Sequence, residues 1–363
     1  MPESLTTFGL RETVHCFVVP PLLSPEPRGC HQSALRPTRS MTPLRLRLAA
    51  LGLLAMVAAG CSSGTKSLTV PVSNFPGYEY FYLAEQKGLA RSSGLDLRTV
   101  EFVDPQAIVH AYLRGDLPMA QLTTVEAVDI CSRAPERCPV VVLVLDESLG
   151  GDQVVARPGI AAMPDLRGKR VGVTLSTLGP YVLSRALEQN GLSLRDVQLR
   201  NMTLDAMPSA LASGAIEAAA LFPPYSDQAS QKAGVRTLFD SRRIPGEVFD
   251  VLVVDPLLLE QKQAALPALL RAWQAAHTLR REQPKAALEL MARREGISPE
   301  AFAQAEQGLR YFNLRDQLAI LQPGGPMEVT LQKVRKVQEA LNLVKPGSPL
   351  PKVSDTAVAA ALR

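Results

Sequence analysis

The sequence predicts an α/β protein built as two lobes, and three observations carry that prediction. Beyond residue 66, short runs rich in β-formers alternate with helical patterns, the order that lays helices against sheets. Val140 to Leu145 is apolar without a break, as expected of a strand covered on both faces of a parallel sheet. From Val154 the alternation starts again, and roughly three hundred residues suffice for two lobes of ordinary size. The expected division is residues 67–153 plus 255–363 for the first lobe and C-terminal helices, and 154–254 for the second.

A leader precedes this body. Arg45-Leu46-Arg47 runs into Leu48 to Ala59, which carries no charge, and Gly60-Cys61 follows. A basic start, a short apolar core and small residues at the end make a secretory signal. The run is shorter than the about 20 residues a stable membrane span needs. The cysteine directly after Ala58-Ala59-Gly60 resembles the lipobox of bacterial lipoproteins, which implies a lipid on Cys61 and cleavage just before it. Residues 41–60 are therefore read as a signal peptide beginning at Met41, and 61–66 as a linker. Residues 1–40 hold Pro20, Pro21, Pro25, Pro27 and Pro37 without helical periodicity, and are read as an upstream extension outside the fold.

In the first lobe, Ser67 to Ser73 alternates and is rich in β-formers, so it reads as a strand. Asn74 to Tyr80 is a turn-rich loop that leads into a helix ending near Lys87-Gly88. Leu95 to Phe102 is a second strand, Pro105 to Arg114 a helix and Pro118 to Leu122 a third strand. Thr123 and Thr124 are good helix N-caps, with Glu126 at the first turn. Val140 to Leu145 closes the lobe.

In the second lobe, Gly168 to Thr174 is a strand. Ser176, Thr177 and Pro180 open a helix that Asn190-Gly191 stops. Val197 to Met202 and Ile216 to Leu221 are strands around a helix at Ala206 to Ser213, and Phe222 to Tyr225 opens another helix. Val235 to Asp240 and Val248 to Val254 are strands, the second crossing back toward the first lobe. Pro256 to Arg363 reads as almost entirely helical, with Trp273 on the apolar face of Leu266 to Arg281.

Charge and cysteine usage narrow the chemistry. The chain has 39 Lys and Arg against 35 Asp and Glu. Six Arg and three Glu precede Cys61, which leaves the remainder about one charge from neutral, without the clustered basic face of a nucleic-acid binder. Cys131 and Cys138 are the cysteines left once Cys16, Cys30 and Cys61 are set aside, and they read as a local disulfide, with two free thiols as the alternative. No nearby His or Cys completes a zinc set, so no metal or other cofactor is expected.

Asp165-Leu-Arg-Gly-Lys-Arg-Val-Gly-Val-Thr174, then Ser176-Thr177, Leu183 to Leu187 and Ala212-Ser213-Gly214-Ala215-Ile216-Glu217-Ala218-Ala219, resembles the second-lobe entry of periplasmic solute-binding proteins. Within them it resembles the nitrate/sulfonate/taurine group, related to the thiamine-precursor synthase-like proteins. Pro76-Gly77-Tyr78-Glu79, Ser148-Leu149-Gly150-Gly151-Asp152 and Leu309 to Leu318 fit as well. The resemblance implies a type II periplasmic-binding-protein fold whose two lobes hold one small solute. It implies an ABC permease and its ATPase as partners, and a monomer tethered through Cys61 at the bacterial membrane, facing the periplasm or cell exterior. Helix N-termini converging at strand ends suit a small anion.

Five strand-to-helix loops supply candidate ligand contacts. Phe75, Tyr78 and Glu79 offer an apolar wall, a hydroxyl and a carboxylate, or else form a surface turn. Thr123 and Thr124 either meet ligand or cap their helix. Asp152 follows two glycines at the crossover and is equally a hinge-turn residue. Ser176 and Thr177 match a loop that binds ligand in the family. Phe222 and Tyr225 stand where the family often has Trp-Glu-Pro-Tyr, whereas this chain has Phe-Pro-Pro-Tyr, which removes a carboxylate. Two carboxylates in the cleft, Glu79 and Asp152, would suit an amine or heterocycle better than sulfonate or nitrate.

Two rival readings remain at this level. A thiamine-pyrimidine-related enzyme would need the Cys-rich iron-binding motif of those synthases, which is missing here. His110 and His277, the histidines after Cys61, are far apart and carry no nucleophile pattern. A sensing lipoprotein of the same fold would differ in its neighbours rather than in its residues.

Overall fold

The computed structural model describes residues 66–363. The expected extension 1–40, the signal at 41–60, the lipidated Cys61 and linker residues 62–65 lie outside the described residues. Among the described residues no helix is long and apolar enough to cross a membrane.

Three sheets organise the described residues. β1 (Lys66–Val72) and β2 (Leu95–Glu101) form a parallel pair. Beside them lies a sheet in the order β11 (Leu309–Tyr311), β4 (Val140–Ser148), β10 (Phe249–Val254), β3 (Met119–Thr123), with β12 (Lys352–Val353) also on β4. The Gln121 amide joins the two groups by donating to the Pro71 carbonyl at 3.0 Å. The second lobe's sheet runs β7 (Gln198–Asn201), β6 (Arg170–Val173), β8 (Ala218–Leu221), β5 (Gln153–Ala156), β9 (Arg236–Asp240).

The helices of the first lobe are α1 (Glu79–Gln86), α2 (Pro105–Arg114) and α3 (Thr124–Arg133). Those of the second are α4 (Leu178–Glu188), α5 (Met207–Ser213) and α6 (Tyr225–Ala233). A C-terminal set returns to the first lobe: α7 (Pro256–Lys262), α8 (Leu266–Glu282), α9 (Pro284–Glu295), α10 (Pro299–Glu306), α11 (Leu314–Leu321), α12 (Pro326–Ala340) and α13 (Thr356–Ala361). The alternation read from the sequence gives this α/β architecture.

Val140 to Leu145 is fully buried, as its composition demands. Each such Val or Leu side chain contributes about 1.5–3 kcal/mol by leaving water. The expectation of a parallel sheet is corrected. β4 pairs antiparallel with β10 and β11 and is parallel only to β12, so the sheet is mixed. The second boundary shifts too. Residues 249–254 lie between β3 and β4 in the first lobe, so the second lobe stops short of residue 254. The C-terminal third also contributes two short strands, β11 and β12, where helix alone was expected. Cys131 and Cys138 are joined as a disulfide, tying the last turn of α3 to the start of β4.

Two segments cross between the lobes, residues 149–152 and 241–248, and they are stitched together. The Ser148 and Ser241 hydroxyls meet at 2.8 Å, the Gly150 N–H donates to Ser241 Oγ at 2.6 Å, and the Ser241 N–H donates to the Asp152 carbonyl at 2.9 Å. The Gly308 carbonyl accepts from Leu149 at 2.8 Å and Gly151 at 3.1 Å. A Cβ on Gly308 would stand 2.7 Å from the Gly151 nitrogen, so only glycine fits this approach. Glu247 ties the crossing to both lobes, at 2.9 Å from Arg185 of α4 and 2.9 Å from Lys333 of α12.

Candidate functional site

Between the two lobes lies a narrow cleft. From the first lobe, Phe75 and Tyr78 form one wall, with Pro105 above and Gln121, Thr123, Glu126 and Asp250 on the floor. Thr177, Leu178 and Phe222 face them from the second lobe, and Asp152 stands at the crossing. The cleft continues into the second lobe past Thr174 and Leu204. Three contacts span it. The Gln106 amide donates to the Leu175 carbonyl at 2.7 Å, the rings of Phe75 and Phe222 meet edge to face at 5.5 Å, and the Leu178 N–H donates to Glu126. The lobes are therefore closed upon each other.

Strand register assembles the floor. Asp250 of β10 is paired with Thr123 on β3 and with Asp146 on β4, so three side chains from neighbouring strands stand in a row. The Tyr78 hydroxyl donates to Asp250 Oδ1 at 2.5 Å. Asp146 is completely buried beneath Gly77, where a Cβ would stand 1.9 Å from Asp146 Oδ2. Burial drives the carboxyls of both Asp146 and Asp250 well above the usual range, and for Asp250 the adjoining Asp146 carboxyl adds to the effect. Two such groups side by side do not both ionise readily. Burial likewise raises Asp152 to about 6, against a hydrogen bond from Ser148 that lowers it.

Glu126 holds the space in front of two helix N-termini. Its Oε2 accepts from the Thr123 N–H at 2.8 Å and the Thr123 hydroxyl at 3.0 Å, closing a capping box on α3. Its contact with the Leu178 N–H makes it an acceptor at the first turn of α4 as well. Burial pushes it to about 7 in spite of these donors. The N-termini expected to receive an anion thus already face a carboxyl group of the protein. Among the described residues, no Lys, Arg or His lines the cleft.

Of the residues named from the sequence, Phe75, Tyr78, Thr123, Asp152, Thr177 and Phe222 come together at the cleft. Four do not line it. Glu79 is fully buried on the far side of its loop, where Arg294 Nε reaches both of its oxygens at 2.7 Å and Arg294 Nη2 reaches the Ser73 carbonyl at 2.8 Å. It anchors the loop to α9 and cannot offer its charge to a solute. Thr124 turns to the Glu247 carbonyl at 3.4 Å. Ser176 is exposed at φ 60°, a left-handed backbone beside the mouth. Tyr225 packs behind Phe222, ring centroids 5.8 Å apart, with Asn74 at its hydroxyl.

Sequence reasoning missed Asp146, Asp250 and Gln121 and gave Glu126 only a capping role. The available signal was a polar residue inside or directly after a buried apolar run: Gln121 within Met119 to Leu122, Asp146 after Leu145, and Asp250 within Val248 to Val254.

The profile of the family described as NMT1/THI5 like matches residues 76–287. A Brucella abortus (strain 2308) protein named as a binding protein is 25% identical over 226 residues, 61% of this chain and 69% of its own. The taurine-binding periplasmic protein of Escherichia coli (strain K12) is 28% identical over 156 residues, 43% of this chain and 47% of its own. The alkanesulfonate-binding protein of Xanthomonas axonopodis pv. citri, solved bound to MOPS, superposes with a TM-score of 0.64 at 16% identity, covering 81% of this chain and 97% of its own. That similarity speaks for the fold.

Proposed function

The chain belongs to the NMT1/THI5-like family, and from that membership we propose that it is the exported solute-binding component of an ABC importer. It captures one small molecule, of the sulfonate/taurine type or a small nitrogenous compound, between its lobes, and a permease with its ATPase receives the closed form. The observation that carries this reading is the cleft itself: two lobes joined by two crossing segments, with polar floor residues from β3 and β10 and aromatic walls from both lobes. Hinged closure around a solute gives a transporter a shape to recognise. The taurine-binding relative supports the same class of role. A lipid on Cys61 would hold the protein at the membrane surface, with the described residues reaching the permease from there.

The binding role is tested by thermal shift over a panel of sulfonates, nitrate, amines, pyrimidines and carboxylates, because a ligand that binds only the native state raises the melting temperature. A hit that purified protein leaves chemically unchanged is expected. Turnover of the hit makes the chain an enzyme and ends the reading. Labelling with a radioactive fatty acid is expected to mark the full chain and to fail on Cys61→Ser. Equal labelling of both removes the anchor. Uptake that persists after the chain is removed from its cell, with binding retained, favours a sensing role.

A further inference from the structure

We propose that the cleft is built to seat a positively charged nitrogen group, a protonated amine or an amidinium, on the oxygens of Asp250, Asp152 and Gln121, and that it excludes sulfonate and nitrate. The proposal rests on the solute-binding reading and specifies its ligand.

Three observations carry it. First, the unpartnered polar atoms of buried cleft residues are all oxygens, acceptors wherever the carboxyls are ionised. Asp152 Oδ2 and Gln121 Oε1 have no hydrogen-bond partner among the described residues, in residues 4% and 2% exposed, while Asp250, 2% exposed, shares a hydrogen bond with the Asp146 carboxyl. The Gln121 amide is oriented by its nitrogen, which donates to the Pro71 carbonyl at 3.0 Å and toward the Tyr78 carbonyl at 3.4 Å, so the oxygen is left for the cleft. An unsatisfied buried acceptor costs about 1–3 kcal/mol, which a donor-bearing ligand recovers. A sulfonate or nitrate offers acceptors only.

Second, the place where an anion would sit is taken. The Glu126 carboxyl meets the N-cap N–H of α3, from Thr123, and the Leu178 N–H of α4. An incoming anion would have to displace it in a cleft that holds no Lys, Arg or His among the described residues. Third, Phe75, Tyr78 and Phe222 wall the cavity with aromatic rings, whose faces attract a cation and merely tolerate a neutral solute.

The charge logic predicts a direction in pH. The groups facing Asp250 are Tyr78 from the first loop, Asp146 from β4 and Asp152 from the crossing, and Tyr78 in turn faces Glu126 from α3. Asp146 also faces Glu147 and Tyr311, Glu126 faces Asp129, and the second lobe brings only Thr177 and the backbone of Leu178. Every titratable neighbour is acidic or a tyrosine. A bound cation therefore favours the ionised carboxyls, expels protons on binding and binds more tightly as pH rises. An anion would rely on protonated carboxyls as donors and bind less tightly as pH rises.

The experiment is titration calorimetry and thermal shift on the full chain at pH 5.5, 6.5 and 7.5. The probes are propylamine and benzamidine, both protonated throughout this range, against ethanesulfonate and nitrate. Expected is binding by at least one nitrogen probe, strengthening up to about tenfold per pH unit while a carboxyl still holds its proton, with proton release seen as a dependence on buffer ionisation heat. Asp250→Asn and Asp152→Asn, near-isosteric changes, are expected to weaken that probe at least about tenfold with circular dichroism unchanged. Should a variant not fold, the pH slope of the wild type decides alone. Binding of ethanesulfonate or nitrate that weakens with pH overturns the cation assignment and leaves the solute-binding reading standing. Silence from the nitrogen probes alongside a carboxylate or neutral hit in the wider panel also overturns it, and silence from every class overturns both.

Discussion

Gly77 is small because Asp146 occupies the space its side chain would need. A methyl there would stand 1.9 Å from Asp146 Oδ2 and 3.0 Å from the Phe75 ring. Gly77→Ala must therefore push the loop bearing Phe75 and Tyr78 away from the floor. We expect about 1–3 kcal/mol of lost stability in urea titrations and a larger proportional loss of whatever ligand the panel finds; unchanged affinity would separate the loop from the site. Glu79, two residues along, carries a different prediction. Its partner Arg294 is itself buried, with 6% of its side chain exposed, and Glu79→Ala leaves it only Glu101 at 3.4 Å and the Ser73 carbonyl at 2.8 Å. The expected cost is about 3–5 kcal/mol, read in the same titration. These two residues also mark what the sequence could tell. The loop was legible as a site because of its position and its aromatic and glycine content. The role of Glu79 was not, because its partner lies 215 residues away, and no local pattern announces such a pairing.

At the level of elements, β4 shows the same division between local and distant information. Its composition announces a buried strand, and Thr123 with Glu126 announces the start of α3. What composition cannot give is who pairs with β4, since β10 arrives after a whole lobe has intervened and β11 has three residues. The edge of β4 between its two short partners also needs a substitute. Where β11 has ended and β12 has not begun, the Val144 N–H donates to Gln317 Oε1 at 2.8 Å and Gln317 Nε2 donates back to the Val144 carbonyl at 2.8 Å. One amide from α11 thus completes the ladder. Gln317→Leu keeps the apolar packing but orphans both backbone groups, and the expected cost is about 2–4 kcal/mol. A change within about 0.5 kcal/mol in chemical denaturation would show that water replaces the amide. Gly308→Ala acts on another element junction, since its Cβ would enter the crossing at Gly151. It is expected to loosen lobe closure, seen as a larger radius of gyration in solution scattering with ligand present.

For the molecule as a whole, the buried carboxyls set the pH response of the ligand-free protein. Folding holds Asp152 near 6 and Glu126 near 7, with Asp146 and Asp250 also raised by burial, while in the unfolded chain such groups titrate near 4. Between these limits the native state binds more protons than the unfolded one, so stability is greatest on the acid side and is lost as pH rises through the folded values. Two effects run the other way. His277, held neutral by burial, loses stability as pH falls below its usual 6.5, but it is one group against several. Asp196, Glu217 and Asp240, lowered by their hydrogen bonds, and Glu247, lowered by Arg185, Lys333 and Tyr181 despite burial, act only below the ordinary carboxyl range. The melting temperature of the ligand-free chain is therefore expected to fall between pH 5 and 8, with Asp152 contributing to the slope up to about pH 6 and Glu126 up to about pH 7, and Asp152→Asn is expected to flatten the lower part of that fall. A melting temperature that climbs across the same interval would mean that the floor carboxyls are ionised and already compensated. A cation on the floor should restore stability at pH 8 more than at pH 5, because only there does it meet ionised carboxyls that nothing else in the cleft offsets.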